Sequence, residues 1–318
     1  MNMKAAVYNK YGPPDVLEVT EMEKPHPKEN EMLVKIHAAT VTSGDVRLRG
    51  SNFPPLLWLP ARLIFGLFSP KKQILGHELA GTIEAIGKKV TKFKVGDPVF
   101  GTTTMLKTGS YAEYICLPQE WKNGVVALKP ENLSFKEAAA LPVGAMTAMF
   151  LLGKAARGLE IKNGQKVLVY GASGSVGSYA VQLAKQQGAM VTGVCSGSNV
   201  DMVKSLGAEE VIDYKKEEYS EGKEKFDIVF DAVGKTTKAK AKKVLNADGK
   251  FVTIKMLTKE KTEHLERIKE LAEQGKLKPF IDKTFTLDEI VPAHEYVDSG
   301  RKRGNVVIEI RQQNGNVL

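Results

Sequence analysis

The apolar positions of this chain recur with two different periods. Up to about residue 122 they gather in short runs rich in β-branched and aliphatic residues, at 16–20, 32–37, 79–86 and 110–116, between turn signals such as Pro25-His26-Pro27 and Gly96-Asp97-Pro98. That spacing predicts short strands closing part of a small barrel. From about Val125 the pattern changes. Ser134 with Glu137 three residues on is a capping-box signature, and it opens a predicted helix that runs to about Arg157 with an interruption near Pro142. Apolar strand-like runs at 166–170, 190–195, 211–213, 226–231 and 250–254 then alternate with helical stretches, among them 199–206 and 264–274. Near-continuous apolar runs in such alternation predict a doubly wound parallel sheet. The end of the chain reads strand (278–285), helix (287–299), strand (306–310), and is expected to rejoin the first domain; the polar tail 311–318 is expected to be disordered.

The stretch 166–177 organises this pattern. A strand-type run stops at Gly171, and Val176, Ala180, Val181 and Ala184 recur at helical spacing, so strand, glycine turn and helix follow one another. The turn reads Ala172-x-Gly174-x-x-Gly177. Gly174 lets the backbone approach a pyrophosphate, Gly177 lets helix pack on strand, and the N–H groups of Ser175, Val176 and Gly177 face an anion from the positive end of the helix. Such a turn alone is a weak signal; the strand–helix alternation after it is what points to a dinucleotide.

Composition narrows the classes. With 318 residues, 42% apolar and 26% charged, the chain has ordinary soluble-globular composition and room for one large or two ordinary domains. Its 46 basic and 37 acidic residues leave +9. The lysines are spread among glutamates, as at 215–218 and 221–225, with no arginine-rich or aromatic-interleaved stripe, so no nucleic-acid partner is expected. Cys116 and Cys195 cannot form a disulfide framework or complete a zinc site. Residues 1–8 enter a strand pattern with no export segment, and the expected compartment is the cytoplasm. The most apolar window, 54–68, is broken by three prolines, an arginine and a glycine, too interrupted for the roughly 20 apolar residues of a bilayer span.

Five stretches taken together carry a family resemblance: 38–50 around Thr42-Ser43-Gly44-Asp45, 75–87 around Gly76-His77-Glu78, 93–101 around Gly96-Asp97-Pro98, 109–114, and 171–177. From Lys4 to Ile310 the chain resembles the medium-chain dehydrogenase/reductase superfamily, in its zinc-independent quinone oxidoreductase branch. The resemblance implies a GroES-like, partly closed β-barrel domain over 1–124 and 276–318, and a Rossmann domain over 125–275 with an α/β doubly wound parallel sheet. Members with catalytic zinc carry cysteines where this chain has Thr42 and about Val143. His77 and Glu78 alone make a poor site beside the usual three protein ligands, so no metal is expected and His77 reads as a hydrogen-bonded structural residue.

Cofactor choice follows from the end of the second central strand, where an acidic residue would hold the ribose of NAD. Here that end carries Ser196, Ser198 and Asn199, which can donate to a 2′-phosphate, with no carboxylate expected there to repel one, and in relatives a tyrosine matching Tyr214 contacts it. NADP(H) is the expected cofactor. By resemblance its other contacts are Thr147, the turn residues Gly171, Ser173, Gly174, Ser175, Val176 and Gly177, the strand end Val233-Gly234, and Asn305.

Without zinc there is no strong Lewis acid for a simple carbonyl, whereas quinones and conjugated enones accept hydride readily, so the expected reaction is NADPH-dependent reduction of quinones or α,β-unsaturated carbonyls. A zinc-type alcohol or carbonyl dehydrogenase and a non-catalytic NADPH-binding module are the alternatives. The family-aligned catalytic candidates are Thr42, Ser43 and Asp45. For Asp45 a structural ion pair with Arg47 or Arg49 is favoured over acid catalysis, and Tyr111 is expected to pack. The apolar insertion 51–70 is read as a wall of the substrate pocket, with a lid, a membrane-surface contact through Arg62 and Lys71-Lys72, or packed core as the other readings. The segment 250–277 lacks a glycine-rich stretch that relatives have, so a homodimer through the sheet edge stays open.

Overall fold

The computed structural model describes residues 1–153 and 159–310, and its contacts divide the chain into two units, one of residues 1–142 with 281–310 and one of residues 143–280. The end of the helix predicted to reach Arg157 and the tail 311–318 lie outside the described residues.

In the first unit, β1 (Asn2–Val7) pairs antiparallel with β2 (Glu18–Glu23). β3 (Glu31–Thr40) is the hub of the larger sheet: it pairs with β4 (Glu78–Ile86), with β6 (Tyr114–Pro118) and with the returning strand near the C-terminus. Its run of Met32, Leu33, Val34 and Ile36 is buried on both faces, which an alternating amphipathic strand would not tolerate. Two short helices lie between β3 and β4, α1 (Ser43–Gly50) and α2 (Pro55–Phe65). β5 (Pro98–Thr102) follows, then β7 (Val126–Leu128) and α3 (Phe135–Ala139), whose Ser134–Glu137 capping box is formed. The domain boundary expected at 124/125 lies further on. β7 pairs with β5 through Val99↔Leu128, and Phe135 of α3 puts its ring 4.3 Å from that of His37, so this stretch is held by the barrel.

The second unit begins within α4 (Pro142–Leu152). β8 (Lys166–Tyr170), α5 (Ser175–Gln186), β9 (Met190–Cys195), α6 (Val200–Ser205), β10 (Glu210–Asp213), β11 (Phe226–Asp231), α7 (Lys238–Val244), β12 (Leu245–Thr253) and α8 (Thr262–Glu273) complete it. The sheet order is β10-β9-β8-β11-β12, and every pairing is parallel. Strand order therefore reverses beside β8, the switch point where open α/β sheets bind ligands at the carboxyl ends of their strands.

The chain then returns to the first unit through β13 (Ile281–Thr286), α9 (Ile290–Asp298) and β14 (Asn305–Glu309), which pairs with β3 through Val307↔Thr40. Among the described residues no helix is long and apolar enough to cross a membrane.

Candidate active site

The glycine turn in the second unit is built by close packing. A Cβ on Gly177 would stand 2.1 Å from the Gly171 carbonyl oxygen and 2.9 Å from the Ala172 Cα, both backbone atoms, so only glycine allows α5 to start this close to β8. Gly171 itself has φ +82° and would meet Val233. Its neighbour on the sheet edge is thus the turn after β11, where the N–H groups of Val233 and Gly234 donate to the Asp231 carboxylate. Asp231 is fully buried and also takes the Thr253 hydroxyl, so sequence position alone hid its role as the clamp of this turn. Gly174 is the N-cap of α5 and brings no capping side chain, so the positive end of the helix, with the N–H groups of its first turn, lies at this turn. Gly144 on α4 packs against Ser175 and Tyr179, and half-buried Thr147 sits one helical step further on.

At the end of β9 the predicted ribose-side residues form one hydrogen-bonded group. Asn199 Nδ2 donates to Ser173 Oγ and to Ser196 Oγ, both at 3.1 Å, and Ser196 and Ser198 hydroxyls are 3.3 Å apart. The Tyr214 N–H donates to the Cys195 carbonyl, which brings the exposed Tyr214 to the same strand end. One expectation is corrected here. The cradle does have a carboxylate: a Cβ on Gly197 would lie 2.5 Å from Asp213 Oδ2. Asp213 is paired with Cys195 across the parallel β9–β10 register, which no reading of the loop sequence alone shows. The donor set and the helix end fit the phosphates of a dinucleotide, while Asp213 opposes an extra 2′-phosphate by simple charge repulsion.

The first unit holds the other predicted residues and a pocket. Thr42 caps α1: its hydroxyl accepts from the Asp45 N–H, and Thr42 N and Oγ1 donate to Asp45 Oδ2 at 2.8 and 2.6 Å. Ser43 is exposed on the first turn. Asp45 Oδ1 takes the Gly76 N–H at 3.0 Å and His77 Nδ1 at 2.7 Å. Burial alone would raise this fully buried carboxyl, but His77 beside it and the Thr42 hydrogen bonds hold it well below the usual carboxylate range. Asp45 is therefore an acceptor and not an acid. In place of the ion pair expected with Arg47 or Arg49, Asp45 has its hydrogen bond with His77, and Arg49 instead bridges to Asp298 at 2.6 Å. Tyr111 packs, fully buried, with its hydroxyl donating to the Thr40 carbonyl. Asn305 is buried at the start of β14, in this same unit.

His77 does more than the structural role expected of it, because it lines a cavity of about 420 Å³ together with Tyr8, Leu48, Ile64, Phe65 and Lys72. The Nδ1–H of the ring is fixed on Asp45, and among the described residues Nε2 has no hydrogen-bond partner. Nothing in its sequence surroundings marks Lys72 as chemical. Its Nζ donates to Thr103 Oγ1 at 3.1 Å and to the Thr103 carbonyl at 3.4 Å, which uses two of three N–H groups, and no carboxylate of the described residues pairs with it. Burial pulls this ammonium down to about 8, against the opposing pull of Asp45. The insertion 51–70 is not packed core, since Ala61 is the only buried residue of α2, but Ile64 and Phe65 do wall this pocket.

A zinc ion of the family type does not fit these donors. The Thr42 hydroxyl, which stands where zinc-binding members have a thiolate, is spent on Asp45, buried Glu78 takes the Thr40 hydroxyl, and among the described residues no group of three or more His, Cys, Asp or Glu side chains is placed to hold a metal.

Comparison with known proteins agrees with both units. Residues 28–130 match the model of the alcohol dehydrogenase GroES-like domain, and 175–278 and 254–308 match two models of zinc-binding dehydrogenases. The 2-methylene-furan-3-one reductase of Solanum lycopersicum is 35% identical over 96% of this chain and 79% of its own length. The NADPH-dependent alkenal/one oxidoreductase of the Arabidopsis thaliana chloroplast is 31% identical over the same shares. The structure of the quinone oxidoreductase from Coxiella burnetii superposes with a TM-score of 0.82 at 29% identity, covering 98% of this chain and all of that one. With its barrel, its parallel sheet and its glycine turn all accounted for, the chain belongs to the medium-chain dehydrogenase/reductase family, in the quinone oxidoreductase branch.

Proposed function

We propose that this protein uses NADPH to reduce α,β-unsaturated carbonyls or quinones. The observation that carries the reading is the unpaired Lys72 ammonium beside His77 in a largely apolar pocket. A bound nicotinamide supplies hydride; everything else asked of the protein is binding, orientation and charge. Hydride addition to the β-carbon of an enone leaves its electron pair on the carbonyl oxygen as an enolate. The third N–H of Lys72 stabilises that oxygen and then hands it a proton, and the neutral amine recovers its proton from water. A quinone takes hydride and proton at the same groups and leaves as the hydroquinone. Asp45 acts on this site through its charge on Lys72 and its hydrogen bond to His77, and Thr42 acts through Asp45, both as positioning residues.

Loss of reduced-nicotinamide absorbance with a short water-soluble enone and a quinone offered in parallel tests the reading, after dialysis against a chelator. Turnover with NADPH is expected; tight NADPH binding with no turnover of either acceptor would overturn it in favour of a binding module. Lys72→Met is expected to lower kcat about 10²-fold while NADPH affinity stays within about threefold. In the unsubstituted enzyme the protonated fraction of Lys72 declines above pH about 8, so kcat should fall about tenfold per pH unit beyond it, and that limb should be missing from the variant. An unchanged alkaline limb in Lys72→Met would remove Lys72 from the chemistry.

NADPH is favoured over NADH by the hydroxyl and amide donors of Ser196, Ser198 and Asn199, with Asp213 leaving NADH use appreciable. The same proposal includes a cytoplasmic protein, from its two free cysteines, both pushed up to about 11 by burial. It includes a homodimer through β12, which is an edge of the five-stranded sheet, and a peripheral membrane contact at α2.

A further inference from the structure

The insertion that walls the pocket turns most of its apolar surface outward. α2 starts on Pro55 and ends at Gly66, with Leu56 89% exposed, Phe68 just beyond it 90% exposed, and Trp58, Leu59 and Leu63 exposed as well. Scattered exposed leucines need no explanation, but a whole apolar helix turned to solvent does. Charge says what can cover it. Between Asp45 and Glu78 there is no acidic residue, while Arg47, Arg49, Arg62, Lys71 and Lys72 all fall there. Arg49 and Arg62 are used internally, Arg49 on Asp298 and Arg62 over the Tyr11 ring. Lys71 is exposed with its Nζ on the Leu63 carbonyl, and exposed Lys107 stands with Ile64 on the pocket rim. A second copy on this face would set these cations against themselves with no carboxylate to answer them.

We propose that α2 with residues 67–72 docks this protein on an anionic lipid surface, and that the pocket draws its apolar substrate from there. Leucines, a tryptophan and a phenylalanine enter the acyl boundary while Lys71 and Lys107 meet lipid phosphates. Ile64 and Phe65, on the same helix, wall the pocket, so the route from lipid to Lys72 stays apolar along one element. The loading half of this proposal rests on the enone or quinone reductase reading; the docking half does not.

Sedimentation of the full chain with phosphatidylcholine vesicles, with and without phosphatidylglycerol, tests docking. Binding at least tenfold tighter to the anionic vesicles is expected, weakened by 0.5 M salt. Leu56→Glu and Phe68→Glu, neither of which lines the pocket, are each expected to lose at least tenfold of that binding, with an unchanged melting temperature and unchanged turnover of a short soluble enone. Turnover of a long-chain enone delivered in anionic vesicles should fall with vesicle binding. Equal affinity for neutral and anionic vesicles overturns the proposal, as does a dimer that Leu56→Glu dissolves, since the occupant is then a second copy. If vesicles bind as expected but soluble and vesicle-borne enones are both inert, loading is refuted together with the reductase reading, while docking stands.

Discussion

Gly177→Val is expected to abolish NADPH binding and all turnover. The first atom added is already impossible: a Cβ would sit 2.1 Å from the Gly171 carbonyl oxygen and 2.9 Å from the Ala172 Cα. Both are backbone, so neither can swing aside as a long side chain would. Relief requires moving the start of α5 away from β8, or the turn out of line, and overpacking of this kind costs about 1–3 kcal/mol even where side chains can yield. The added branches of valine take it beyond that. The helix N-terminus is the part displaced, and it is what presents the N–H groups of Ser175 to Gly177 to the pyrophosphate. A loss of about 10³-fold or more in NADPH affinity is expected by fluorescence titration, equivalent to roughly 4 kcal/mol. The barrel unit carries none of these contacts, so the variant should keep its far-ultraviolet circular dichroism at 25 °C while its melting temperature falls. NADPH affinity within threefold of the unsubstituted protein would show that the turn does not hold the pyrophosphate.

That turn was legible in the sequence because its constraint is local: strand, glycine spacing and helix period are all written within twelve residues. The capping boxes at Thr42–Asp45 and Ser134–Glu137 are local in the same way; at the first, the family alignment offers catalytic candidates and the two neighbouring arginines offer an ion pair, and both draw attention from the Thr-x-x-Asp spacing itself. Asp213 was missed because parallel pairing of β9 with β10 brings it to Gly197 across sixteen residues of chain, and a strand end shows nothing in sequence of its neighbour. Lys72 was missed for a further reason. In sequence it is the second of two lysines after an apolar run, and the two read as equivalent surface cations. The fold separates them: Lys71 faces solvent while Lys72 turns inward to Thr103. The domain boundary moved for a similar reason, since the pairing of β7 with β5 is a long-range choice that composition near residue 125 does not record.

Asp45→Asn joins the stability of the first unit to its chemistry. The carboxylate takes four hydrogen bonds, from Thr42 N and Oγ1, Gly76 N and His77 Nδ1. All four partners are donors. An asparagine amide has one acceptor oxygen, so whichever way it turns it sets an N–H₂ against donors, in a site with no exposed surface. Leaving buried donors unsatisfied in this way costs about 1–3 kcal/mol each, a large part of the 5–15 kcal/mol typical of a domain. The pH dependence has a definite sign. Because the folded carboxyl lies below its unfolded value of about 3.9, its contribution is complete above that value and is lost as pH falls through the folded one. Chemical denaturation should therefore show the gap between the two proteins constant from pH 5 to 8 and narrowing below about pH 4. Activity gives the readout that a purely structural role would not move. The Asp45 charge raises Lys72 against the depression by burial, so its removal must carry the alkaline limb of kcat to lower pH than in the parent enzyme. A destabilised Asp45→Asn protein whose alkaline limb stays near pH 8 would show that Asp45 holds the loop and has no electrostatic hold on the proton donor.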